Sequence, residues 1–137
     1  MLALDTNVIS EAMRGPAANE YVIGWLRHLP VPPVTTVINR AEILAGVAML
    51  PAGARRDRLR DSAVSAFSGL GVTLPLVPEA ADHYAEIVAS RRRSGRPIGG
   101  MDALVAAICL VSGATLATRD TDDFEGLGLD IINPWVP

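Results

Sequence analysis

Short apolar runs that break off in polar, turn-forming residues alternate along this chain with stretches of helical periodicity, and this alternation restricts the fold more than any other feature. Leu2-Ala3-Leu4 breaks into Asp5-Thr6-Asn7, Val34 to Thr36 feeds directly into a helical stretch from about Val37 to Leu50, and Thr115-Leu116-Ala117-Thr118 breaks into Arg119-Asp120. Val72 to Val77 is a further strand candidate, with Pro75 arguing for an edge position, and Leu129 to Ile132 is the last. Strands that alternate with helices build a parallel sheet with helices on its faces. Half the residues are hydrophobic but only 4% are aromatic, so the core must be made of Ala, Val, Leu and Ile, which suits such a sheet. The fold class is α/β. With 137 residues and no repeat, linker or low-complexity segment, residues 1–137 read as one domain.

The remaining helices are expected at Val8 to Met13, Ala18 to His28, a run rich in Arg ending near Ser68, a helix opened by Pro78-Glu79 and ended by Gly95, and Ala103 to Val111. The last of these is apolar all round and belongs inside. Its nine residues fall far short of the ~20 that span a bilayer, and no basic segment leads into an apolar one at the N-terminus. Cys109, the single cysteine, lies in that run, where a small buried thiol is expected and no internal disulfide is possible. A cytoplasmic protein without membrane contact is expected.

A formal charge of −3 argues against a general nucleic-acid binder. All twelve basic residues, however, are Arg, and eight of them gather at Arg55, Arg56, Arg58 and Arg60 and again at Arg91, Arg92, Arg93 and Arg96. Arg forks onto phosphate in bidentate geometry, so either group can be a phosphate surface, although a solvated helix face and a helix C-terminus explain them equally well.

The acidic residues carry the stronger signal. Asp5 and Asp120 each follow a strand, and Glu42 and Asp102 lie near the starts of helices that follow a strand or a loop. Taken singly, Asp5 and Asp102 fit helix caps, and Glu42 fits a boundary residue or a partner for Arg40. Glu42 nevertheless shares a line with Ile38, Ala45 and Met49, so it interrupts what reads as an apolar stripe. In a parallel sheet, strand ends and the helix starts behind them share one edge, where all four acids can converge, with Asp123 as a fifth candidate. Two carboxylates ~4 Å apart repel by about 4 kcal/mol at an effective dielectric of 20, so a converged set must take up protons or a cation. An all-oxygen donor set favours Mg²⁺ or Mn²⁺ over Zn²⁺ and suits metal-assisted attack of water on a phosphodiester.

Four stretches, LALDTNVISE, TTVINRAEILAG, GGMDALVAAICL and LATRDTDDFEGLGLDIINPW, in this order and at these spacings, resemble the PIN-domain ribonucleases of the VapC type, the toxins of bacterial type II toxin-antitoxin pairs, and within them the FitB-like branch. The resemblance implies a three-layer α/β/α sandwich around a parallel sheet of four to five strands. It further implies a Mg²⁺- or Mn²⁺-dependent endoribonuclease, and a homodimer inhibited by a VapB-like antitoxin through which alone it meets DNA. It carries over Asp5, Glu42, Asp102 and Asp120 as an acidic quartet, leaves Asp123 as a possible further ligand, and makes Thr6, Asn7 and Thr118 hydrogen-bonding supports. Two rival readings are a catalytically idle module that binds a cation or a basic peptide, and a metal-dependent phosphomonoesterase. The latter wants a second acid two residues beyond its nucleophilic Asp, where this chain has Asn7. The helix bearing Tyr21, Trp25 and Leu29 offers an apolar row that fits either the core or a partner.

Overall fold

The computed structural model describes residues 1–137. Five strands, β1 (Leu2–Leu4), β2 (Thr35–Thr36), β3 (Thr73–Leu74), β4 (Thr115–Ala117) and β5 (Ile131–Ile132), pair only in parallel. β1 lies beside β4 with Leu4 opposite Ala117, β4 beside β5, and β2 beside β3. A parallel bridge between Ala3 and Val34 joins the two groups, so the strands run β3-β2-β1-β4-β5 across the molecule. Chain connections leave β1 toward β2 on one side and arrive at β4 on the other. A crevice therefore opens beyond the carboxyl ends of β1 and β4, the place where ligands bind in open α/β sheets.

The strand period of two explains the layers. Ala3 and Leu116 pack into one apolar cluster, and their chain neighbours Leu4 and Ala117 into another on the opposite face. The first cluster is closed by α5 (Ala80–Arg93) and α6 (Gly100–Ser112), the second by α1 (Thr6–Ala12), α2 (Glu20–Arg27), α3 (Val37–Ala48) and α4 (Ala54–Ser68). The chain is thus an α/β/α sandwich. α6 buries Ala103, Val105, Ala106, Ala107, Ile108 and Cys109, and small side chains on most of that surface let the sheet and α5 approach closely. It ends at Gly113, whose φ of 66° is the left-handed turn that glycine adopts without strain. No helix is long and apolar enough to cross a membrane.

Several expectations need correction. The third strand is confined to Thr73–Leu74, because Pro75 cannot donate to a ladder, and it does occupy an edge. On α3 the inward row is Asn39, Ile43 and Val47, displaced by one position from the expected line, while Glu42 and Ala45 are exposed and Met49 is 80% exposed. Thr36, at the N-cap, accepts from the Asn39 backbone N–H, and this polar anchor turns α3 so that an amide heads the buried face. On α2, capped by Asn19, Val22 is buried and Trp25 and Leu26 pack on the core, but Tyr21 faces outward.

The second Arg group is not a continuous surface either. Arg91 is buried, and its Nη2 donates to the carbonyl oxygens of Asp123 at 2.7 Å and Glu125 at 2.8 Å. Arg96 donates to the Asp122 carbonyl at 3.3 Å. These bonds tie the end of α5 to the 3₁₀ turn Thr121–Phe124, whose Phe124 ring is buried in the first cluster. Replacing Arg91 by Met should therefore cost about 2 kcal/mol in urea denaturation, since charge-assisted bonds are lost and the carbonyls are left short of a donor. Arg91→Lys should recover less than half of the loss, because an ammonium lacks the planar fork.

Candidate active site

Asp5 is the last residue before α1 and is only 5% exposed. Three donors meet its carboxylate. The Thr6 backbone N–H reaches Oδ1 at 2.9 Å, the Asn39 side-chain amide reaches Oδ1 at 2.9 Å, and the Thr118 hydroxyl reaches Oδ2 at 2.7 Å. The residue thus caps α1 and lines the cleft at once. Burial raises its pKa, the three hydrogen bonds pull the other way, and the charge of Asp120 adds to the rise.

From Asp5 the hydrogen bonds run outward to two further acids. Asn39 also donates to Thr6 Oγ1 at 3.0 Å, and the Thr6 hydroxyl donates to Glu42 Oε1 at 2.9 Å. On the other side, Asn7 Nδ2 donates to Thr118 Oγ1 and to Asp120 Oδ2, both at 3.1 Å, and the Asp120 backbone N–H reaches Thr118 Oγ1 at 3.0 Å. Thr6, Asn7 and Thr118 therefore do sit between the acids as supports. Asn39 and Thr36 escaped the sequence reading, although both lie in the stretch TTVINRAEILAG. The available signal was the pattern Thr36-x-x-Asn39 at a helix start, which resembles a capping box. The Thr36 hydroxyl donates to Asn39 Oδ1 at 2.7 Å and fixes the amide so that its N–H₂ faces Asp5.

Asp102 stands apart from this network. It is the third residue of α6, whose N-cap is Gly99 with no side-chain capping bond, so the cap explanation for Asp102 does not hold. Its pKa is pushed up to about 6, by burial first and then by the charges of Asp5, Asp123, Glu42 and Asp120. An open cleft of about 520 Å³ brings Asp5, Glu42, Asp102 and Asp120 together with Thr6, Asn7, Ser10, Glu11, Arg14, Arg119 and Trp135. Asp123 is exposed and does not line it, although its charge is felt at Asp102. Glu11 is buried, accepts from Arg14 Nη1 at 3.0 Å and from the Asn19 N–H at 3.1 Å, and is held below the usual carboxylate range chiefly by Arg14.

No three of these side chains are drawn up as a closed metal cage. Mg²⁺ does not demand one, since it keeps several waters and needs one or two direct carboxylates. The donor set is hard oxygen throughout, and Asp102 has no cation of its own. Such a set fits a hydrated divalent ion.

Fold and cleft together define a class: a helix-covered parallel sheet with an acidic cleft at the end of its central strands. The family model for the PIN domain matches residues 2–128, and the chain belongs to that family. It is 39% identical to the VapC ribonuclease Y4jK of Sinorhizobium fredii, over 100% of this chain and 99% of that protein. It is 37% identical to toxin FitB of Neisseria gonorrhoeae, over 98% of this chain and 99% of that protein. The structure of FitAB bound to an IR36 DNA fragment superposes with a TM-score of 0.84 at 36% identity, covering 98% of this chain and 96% of that one.

The raised Asp102 sets a pH dependence. Between about pH 4 and 6 the folded protein holds a proton that the unfolded chain has released, so metal-free stability falls as pH rises through that window. Asp102→Asn should flatten this slope in chelator, leave stability unchanged below about pH 4, and raise it at pH 7 by on the order of 1 kcal/mol after allowance for solvent screening. Urea denaturation across that range reads the sign directly.

Proposed function

We propose that this chain is a Mg²⁺- or Mn²⁺-dependent endoribonuclease and the toxin of a toxin-antitoxin pair. The observation that carries the reading is the convergence of Asp5, Glu42, Asp102 and Asp120, from four separate elements, on one open cleft at the sheet's switch point. Asp5, Asp102 and Asp120 would hold the metal, Glu42 would join them directly or through water, and Asp123 would attract it from outside the cleft. A divalent ion there supplies the charge that makes water a competent nucleophile at neutral pH and steadies the leaving oxygen of the phosphodiester. Asn39, Thr118 and the Thr6 N–H oppose the rise that burial imposes on the Asp5 pKa and point its carboxylate into the cleft, and Asn7 holds the Asp120 carboxylate in place. Burial and neighbouring negative charge raise the Asp102 pKa, so a bound cation would favour its ionised, ligating form.

The relatives named VapC ribonuclease and toxin FitB, and the FitAB complex on DNA, support extending the reading to partners. A VapB-like antitoxin places a cationic side chain among the carboxylates and excludes the metal, the toxin acts as a homodimer, and DNA is met only through the antitoxin.

Wild-type protein should cleave RNA in Mg²⁺ or Mn²⁺ and not in chelator, and Asp5→Asn should lower the rate by about a hundredfold or more. Cleavage in excess chelator at an undiminished rate would refute the mechanism. Among the last acids, Asp120→Ala should abolish cleavage at any metal level, Asp123→Ala should weaken it mainly when Mn²⁺ is limiting, and Asp122→Ala should do little. Asn7→Ala should cost about 10–100-fold in metal affinity, read by calorimetric titration with Mn²⁺.

A further inference from the structure

We propose that Arg119 and Trp135, stacked on the rim of the acidic cleft, form a subsite for one unpaired RNA base, with Arg14 beside them taking a neighbouring phosphate. This rests on the endoribonuclease reading and adds to it the residues that hold the strand.

The stack is built in two tiers. Trp135 is the inner one. Its backbone N–H donates to Asn133 Oδ1 at 2.9 Å, the preceding Pro134 is buried, and the indole packs partly against the cluster of Leu4, Val8 and Ile9. Arg119 is the outer tier, exposed, with its Cζ 5.0 Å from the centre of the indole ring. Its guanidinium makes no ion pair, whereas Arg14 and Arg96 each bridge a carboxylate. Its backbone N–H donates at 3.2 Å to Asn7 Oδ1, on the same Asn7 amide that donates to Asp120. The stack is therefore tied, through one side chain and one peptide bond, to an acid in the cleft.

Charge explains the need for it. The acids repel a phosphodiester strand everywhere except at a bound cation, so the nucleotides flanking the scissile bond must be held from the rim. The rim supplies two cations, Arg119 and Arg14, the latter donating through Nη1 to both carboxylate oxygens of Glu11, at 3.0 and 3.4 Å, with its side chain 57% exposed. A guanidinium plane backed by an indole offers an unpaired base a flat face to stack on, and proteins read single strands through such planes. A base inside a duplex is already stacked on both faces and gains nothing from it. The subsite thus selects unpaired segments while tolerating any base.

Trp25 and Trp135 are the two tryptophans, so in a Trp25→Phe background the fluorescence of Trp135 reports the stack. The experiment titrates the full-length protein in chelator, where cleavage does not intervene, with a short mixed-sequence single-stranded RNA and with a duplex of equal length, following Trp135 emission and the anisotropy of labelled RNA. The single strand should quench Trp135 and bind more tightly than the duplex. Arg119→Lys, which keeps the charge and removes the plane, should weaken single-strand binding by about tenfold, abolish the preference over the duplex, and in cleavage assays raise KM with kcat little changed. Wild-type affinity in Arg119→Lys, or equal binding and quenching by the duplex, would overturn the subsite. Quenching and single-strand preference with no cleavage in Mn²⁺ would leave the subsite standing and remove the ribonuclease reading instead.

Discussion

The arrangement of the cleft depends on a single buried carboxylate. Asp5 lies at the end of the central strand with 5% of its surface exposed, and a charge in such a place persists only if hydrogen bonds replace the water it has lost. One replacement donor is the next residue, at the start of α1, and the other two come from α3 and the end of β4, elements distant in sequence that only the parallel pairing of β1 with β2 and β4 brings within reach. One side chain thus holds three elements in register, and the same bonds aim it into the crevice between β1 and β4.

The four acids of the cleft divide by how they are held. Asp5, Glu42 and Asp120 each accept a hydrogen bond, through the chain that runs Glu42, Thr6, Asn39, Asp5, Thr118, Asn7, Asp120. Asp102, carried by the buried helix α6, has no place in that chain and keeps its proton to about pH 6. Fixed donors set the position of three carboxylates, and burial together with neighbouring negative charge sets the protonation of the fourth. The cleft is held by hydrogen bonds on the side of β1 and β4 and crowded with negative charge on the side of α6.

Much of this was legible in the sequence. Asp5 and Asp120 stand out because each follows the end of a short apolar strand, Asp102 because it lies at the start of an apolar helix, and the class of fold follows from the alternation of short strands with helices. Glu42 was reached by a wrong route. It was picked out as an interruption of a buried stripe, whereas it is exposed and the buried row begins with Asn39. Hydrophobic periodicity misplaced the row because its first member is polar, and a buried amide cannot be told from a surface one until its partners are known. Arg91 misled for the same reason: three arginines in succession look like a solvated helix end, yet the first turns inward onto two carbonyl oxygens.

The sequence alone determined the alternation of elements, and with it the parallel sheet, the layers of helix and the edge at which acids can meet, because strand and helix periods and turn residues are local properties. Tertiary structure alone decided which of those acids share a cleft, which polar side chains hold them and where the cations of the rim lie. Asp123 shows the difference. Three residues from Asp120 along the chain, it is left outside the cleft by the 3₁₀ turn that Arg91 and the buried Phe124 ring secure. Hydrogen bonds across more than a hundred residues, such as Thr118 to Asp5 and Asn7 to Asp120, exist only once the sheet has formed. No local pattern encodes their geometry.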